Sequence, residues 1–185
     1  MKTAQAAFAN HPQPGIPRTF LREVFAACER AHPYEACGLI GGLASVSEFA
    51  WIRHCKNDLA RLAAENPGDW PAHVNEPGQL GTSCDPRTGF RMRFADLVFL
   101  AQQCEKEGFS CVVYHSHPDG GSGLSGLDRR FGPLWAPQMT QLGQLVVSLR
   151  NRRVCRAQRY VYAGTDFRLF CDYDPESLQS CATPC

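Results

Sequence analysis

Apolar residues recur through positions 18–31 at Phe20, Leu21, Val24, Phe25 and Cys28, a spacing that gathers them on one side of a helix and predicts an amphipathic element with one buried face. Pro33 disfavours helical geometry in the residue before it, so this helix is expected to end near His32. Residues 36–42 (ACGLIGG) are short, apolar and closed by glycines, which suits a buried strand. Residues 45–54 alternate less cleanly and predict a second strand, antiparallel to the first.

From Asn57 to Gly89 the periodicity dissolves into Pro, Gly, Asn and Asp, with a short helix expected at 59–65. A stretch of this length inside a domain is usually functional or disordered. Residues 90–94 resemble an edge strand, residues 95–108 a helix burying Leu97, Val98, Leu100, Ala101 and Cys104, and residues 109–114 (FSCVVY) a buried strand. Further strands are predicted at 145–150, 156–163 and 167–173. No repeat or low-complexity tract divides the chain. The expected organisation is a lead over 1–17, one domain over 18–174 with a loop insertion at about 57–89, and a mobile tail over 175–185. The fold class is α/β, with helices flanking a mixed, largely antiparallel sheet.

Composition narrows the function classes. The length of 185 residues suits one domain with its own core. A formal charge of +1 supplies no chain-wide field toward nucleic acid or an anionic membrane, so neither is expected as a partner. The lead lacks the unbroken apolar core of a secretory signal, no segment has the apolar length of a membrane span, and the protein is expected to be soluble and cytoplasmic. The 10 cysteines form no CxxC pair and several lie within apolar runs, where cysteine acts as a small hydrophobe, so they read as reduced thiols.

Chemistry concentrates in residues 114–128, YHSHPDGGSGLSGLD. His115 and His117 stand two apart directly after a predicted strand, so both imidazoles point to one side. Pro118 stops the strand and the glycines after it let the chain turn back. Ser125 and Asp128 have the Ser-x-x-acid spacing of a helix N-terminus. Two imidazoles and one carboxylate, with a fourth position for water, form the donor set of a catalytic zinc site. Taken singly, a histidine pair is usually two polar groups near a strand end, and Ser125 with Asp128 is usually a helix cap; the joint pattern is much rarer. HExxH, paired CxxC and the deaminase His-x-Glu with Pro-Cys-x-x-Cys are all missing. Cys181 and Cys185 have poor spacing for a second metal with His54, Cys55, His73 or Cys84.

His-x-His-Pro followed by Ser-x-x-Asp resembles the JAMM (MPN+) metalloprotease family, and Pro33-Tyr-Glu35-Ala-Cys37-Gly38-Leu39 is similar to the context of that family's upstream acid. The resemblance covers most of residues 18–170 and implies an MPN, cytidine deaminase-like fold. It further implies Zn2+ on His115, His117 and Asp128, Glu35 as the base and Ser125 as an oxyanion donor. The implied activity is isopeptidase cleavage after the C-terminal Gly-Gly of a ubiquitin-like protein, deubiquitinase-like, with conjugating-system enzymes among its partners and a bacterial antiphage operon as a setting. Trimming of a sulfur-carrier protein is an alternative substrate, and a non-catalytic MPN scaffold an alternative of another class. Substrate binding by strand addition would use Phe90, Met92 and Phe94, with Trp70 as an apolar contact.

Overall fold

The computed structural model describes residues 13–59, 61, 86–121, 123–126, 128–130 and 136–182. Helix α1 (Arg18–Ala31) buries Leu21, Val24, Phe25 and Cys28, the face expected from the apolar spacing. Among the described residues seven strands follow: β1 (Cys37–Leu43), β2 (Trp51–Cys55), β3 (Phe109–His117), β4 (Gln141–Arg150), β5 (Arg153–Tyr162), β6 (Phe167–Tyr173) and β7 (Ser180–Ala182). A second helix, α2 (Phe94–Cys104), lies between β2 and β3 in sequence. The strands form one sheet in the order β2-β1-β3-β4-β5-β6-β7, antiparallel at every neighbour except the parallel pair β3–β4.

Both faces of the sheet are covered. On one, Leu21, Val24 and Phe25 of α1 pack with Ile40, Val112, Tyr114, Leu145 and Val147. On the other, Leu100 of α2 packs with Cys37, Leu39, Cys111, Val113, Leu142 and Val146. Central strands covered twice must be apolar at nearly every position, which is why β1 and β3 read as continuous hydrophobic runs. An ion pair docks α2 on the edge strand: Nε and Nη2 of Arg53 reach Oδ1 of Asp96 at 2.8 and 2.7 Å, and the guanidinium lies 4.5 Å from the centre of the Phe99 ring.

Four expectations need correction. Of the expected 45–54 strand only the last four residues pair with β1, and the strand runs one further to Cys55. The residues before it are drawn away because the backbone of Gly15 bonds Ser47 and Phe49. The expected edge strand over 90–94 is a single antiparallel bridge between Met92 and Asn57, since Phe94 already begins α2. Strand β3 runs on through His117 instead of ending at Tyr114, because β1 and β4 continue beside it. The tail adds strand β7 to β6 where mobility was expected.

Two glycines let aromatic rings cross β1. A Cβ on Gly41 would fall 2.2 Å from the Trp51 ring, and one on Gly38 would fall 2.3 Å from Cε1 of Tyr114 and 2.4 Å from the carbonyl oxygen of Arg53. Tyr114 thereby reaches Nδ1 of His54 on the far strand. The Arg53 carbonyl is backbone and cannot swing aside, so Gly38→Ala should destabilise the fold by about 1–3 kcal/mol through overpacking. Urea denaturation with an unchanged m-value is the check.

Candidate metal centre

The parallel pair β3–β4 sets the position of the site. Parallel neighbours require a crossover, and the one leaving His117 carries the Gly-rich turn and Asp128 before returning to β4 at Gln141. The crossover starts at the carboxyl end of β3, a place where open sheets leave a crevice for ligands. Alternation along β3 puts His115 and His117 on the face of Cys111 and Val113, toward α2. Asp128 arrives from the crossover, and its backbone carbonyl accepts a 2.6 Å bond from Nε2 of Gln144 on β4.

His115, His117 and Asp128 each offer one ligand atom within 4.8 Å of the others. Oδ1 of Asp128 lies 3.3 Å from Nε2 of His115, and Oδ2 lies 3.9 Å from Nε2 of His117. His115 is 0% exposed, and neither of its ring nitrogens has a hydrogen-bond partner. Buried polar atoms are rarely left so, because desolvation without a partner is costly. A divalent cation at Nε2 would satisfy one of them. The second imidazole is oriented from behind: Nδ1 of His117 lies 3.1 Å from the carbonyl oxygen of Gly121, which also accepts a 2.7 Å bond from Oγ of Ser148. An Nδ1–H donated to that carbonyl leaves the Nε2 lone pair facing Asp128, the arrangement that metal-binding histidines favour.

The expected cap is present. The backbone N–H of Ser125 donates to Oδ2 of Asp128 at 2.7 Å, and the N–H of Asp128 donates to Oγ of Ser125 at 3.2 Å. Protonation follows from these neighbours. Burial opposes ionisation of Asp128, but the adjacent His115 and the bonds from Ser125 outweigh it and hold the carboxyl well below the usual carboxylate range. Burial, reinforced by repulsion from His115, lowers His117 to about 4. For His115 burial pulls downward, yet Asp128 and Glu35 prevail and raise it. The result is a neutral His117 imidazole beside an ionised Asp128 carboxylate, while His115 holds its proton more readily and would give it up to a metal ion. This donor set fits a divalent metal ion.

Glu35 lies two residues before Cys37, whose partner across the antiparallel pair is His115. The pairing continues past the strand end: the N–H of Ser116 donates to the carbonyl of Ala36 at 3.0 Å, and the N–H of Ala36 donates to Oγ of Ser116 at 2.8 Å. Alternation therefore turns Glu35 to the histidine side, where it is 4% exposed. Ser125 is at the surface of the same cluster. Of the expected substrate contacts, Phe90 stacks on the His115 ring with centroids 5.1 Å apart and planes at 28°. Phe94 is 80% exposed at the start of α2, whereas Met92 is buried in the core beneath α2 and offers no surface to a substrate. Trp70, His73, Cys84 and Cys185 lie outside the described residues, among which His115, His117 and Asp128 form the one metal-competent cluster. Ser116, Gly121, Gln144 and Asn57 escaped sequence reasoning, since their roles are backbone contacts that no spacing encodes.

The chain belongs to the family of prokaryotic homologs of the JAB domain, which it matches over residues 17–159. Its fold, a mixed sheet between helices, is that family's. Similar solved structures include the solution structure of a Desulfitobacterium hafniense protein, 18% identical, covering 83% of this chain and 87% of that one at a TM-score of 0.48. Another is a Salinibacter ruber protein, also 18% identical, covering 83% and 86% at a TM-score of 0.46. No curated protein matches the chain.

Metal removal gives a direct test of the cluster. A ligand that binds only the folded state stabilises it by about 2.7 kcal/mol at a hundredfold excess over its Kd. Zinc should accordingly raise the melting temperature of chelator-stripped protein, and Asp128→Ala should abolish that shift while the stripped variant still melts cooperatively.

Proposed function

We propose that this protein is a zinc-dependent peptidase that releases a ubiquitin-like protein from conjugates, or trims its C-terminal extension, by cleaving after Gly-Gly. The observation that carries the reading is the convergence of a fully buried His115 with His117 and Asp128, their ligand atoms within 4.8 Å of one another, beside a buried glutamate on the same face. Membership of the JAB family supports a peptidase or isopeptidase role. Retention of the whole donor set favours catalysis over a scaffold.

His115, His117 and Asp128 would hold the ion, which supplies Lewis acidity that brings the pKa of a water toward neutrality. Every other task falls to side chains of this chain. Glu35 accepts the proton of the attacking water and returns it to the departing amine, serving as base and then acid. The Ser125 hydroxyl accepts from the Asp128 N–H and turns its hydrogen toward the Asp128 carboxylate, from which it can swing to a neighbouring oxyanion. It donates that hydrogen to the oxyanion of the tetrahedral intermediate. Phe90 excludes water from the outer side of His115. The ubiquitin-like partner, conjugating enzymes of the same system and a cytoplasmic setting belong to this proposal; among the described residues no helix is long and apolar enough to cross a membrane.

A ubiquitin-like protein carrying a C-terminal extension after Gly-Gly, followed by mass spectrometry, is the assay. Ser125→Ala should lower kcat on the order of 10²–10³-fold, the usual cost of one oxyanion donor. Glu35→Gln should be more severe and should still bind one zinc. Normal turnover by that variant with zinc in place would sink the assignment of Glu35.

A further inference from the structure

Asn57 lies just beyond the end of β2, and its carboxamide uses all of its hydrogen-bonding capacity. Nδ2 donates to the carbonyl of Glu35 at 3.0 Å and to that of Gly89 at 3.1 Å. Oδ1 accepts from the N–H of Leu59 at 3.0 Å and from that of Arg91 at 3.2 Å. Two carbonyls require donors and two N–H groups require acceptors, so only one orientation of the amide serves all four partners. The Gly89 carbonyl and the Arg91 N–H belong to the two peptide groups that flank Phe90, the ring lying against His115. The Glu35 carbonyl belongs to the buried residue that faces the same cluster.

One side chain therefore joins three segments: the one carrying the carboxylate, the one carrying the aromatic cover, and the chain leaving β2. The rest of the carboxylate segment is held as firmly. The N–H of Glu35 donates to the carbonyl of Pro86 at 2.8 Å, and Ala36 is bonded in both directions to Ser116. Of these ties, Asn57 alone also reaches the backbone on both sides of Phe90.

We propose that Asn57 is a positioning residue for hydrolysis: it touches neither substrate nor metal, and it acts by holding Glu35 and Phe90 in fixed register over His115, His117 and Asp128. This rests on the peptidase reading above and adds to it the residue that sets the placement of the base. The physical basis is that proton transfer needs the carboxylate within hydrogen-bond reach of the water, and a displacement of about 1 Å costs on the order of 10²-fold in rate.

The test uses the full zinc-loaded chain with Asn57→Ala and Asn57→Asp. The aspartate keeps acceptors for Leu59 and Arg91 but sets an oxygen against the carbonyls of Glu35 and Gly89. Both variants should bind one zinc and lose about 10–100-fold in kcat, with KM changed by less than about threefold. In the Glu35→Gln background, Asn57→Ala should cost nothing further, because a residue acting through Glu35 has nothing left to position. Hydrogen exchange on metal-free protein gives an independent reading: the Arg91 amide should lose protection in Asn57→Ala and keep it in Asn57→Asp. If the alanine variant fails to fold, the aspartate variant carries the kinetic comparison alone. Unchanged kcat in a folded variant, or an equal loss with and without Glu35, overturns the proposal. Wild-type protein that holds zinc yet cleaves no Gly-Gly-linked substrate overturns the peptidase reading instead, before any Asn57 variant is made.

Discussion

The antiparallel pairing of β1 with β3 is the constraint from which the site follows. It sets Cys37 opposite His115 and, through the reciprocal bonds of Ala36 with Ser116, carries Glu35 onto the histidine face. A slip of one residue would turn Glu35 to the α1 side, because side chains alternate along a strand. Such a slip is opposed along the whole length of β1. Its two faces pack into different cores, and Gly38 and Gly41 accept the rings of Tyr114 and Trp51 where any other residue would collide.

That register also explains the low polarity around the cluster. His115 comes at the end of a strand whose preceding residues are buried on both faces, and Phe90 covers the ring. Apolar surroundings strengthen every electrostatic contact and penalise every unpaired one. The same burial that lowers His117 leaves Asp128, 3.3 Å away, as the charged neighbour of Nε2 of His115. Polar supports enter from behind through the Gly121 carbonyl on His117 and Gln144 on the Asp128 carbonyl, and from the cap through the Ser125 N–H on the Asp128 carboxylate. The arrangement is rigid at its back and open to a cation at its front.

The two sides of the cluster are built by different means. Asp128 and Ser125 form a local unit, four residues closing a cap on one another. The backbone of Glu35 is held by residues distant in sequence, Asn57 and Pro86, and that of Ala36 beside it by Ser116. Its placement is correspondingly the most exposed to change elsewhere in the fold, and described residues near both ends of the long 57–89 segment contribute to it.

Much of this was legible in the residues themselves. The spacing of Leu21, Val24, Phe25 and Cys28 marked α1 to the residue, and the two-residue step from His115 to His117 with the Ser125–Asp128 cap marked the donor set, because helix and strand periods and caps are local properties of the chain. Glu35 was identifiable only by resemblance, since nothing in its own neighbourhood distinguishes it from a loop glutamate. What tertiary structure decided was which distant segments meet. Met92 was read as an edge contact and is buried, the tail was read as mobile and pairs with β6, and Asn57 was read as loop punctuation and binds four backbone groups. Periodicity specifies which face a side chain takes, but hydrogen bonds between remote backbone groups depend on where the whole chain has been brought, and a sequence window carries no record of that.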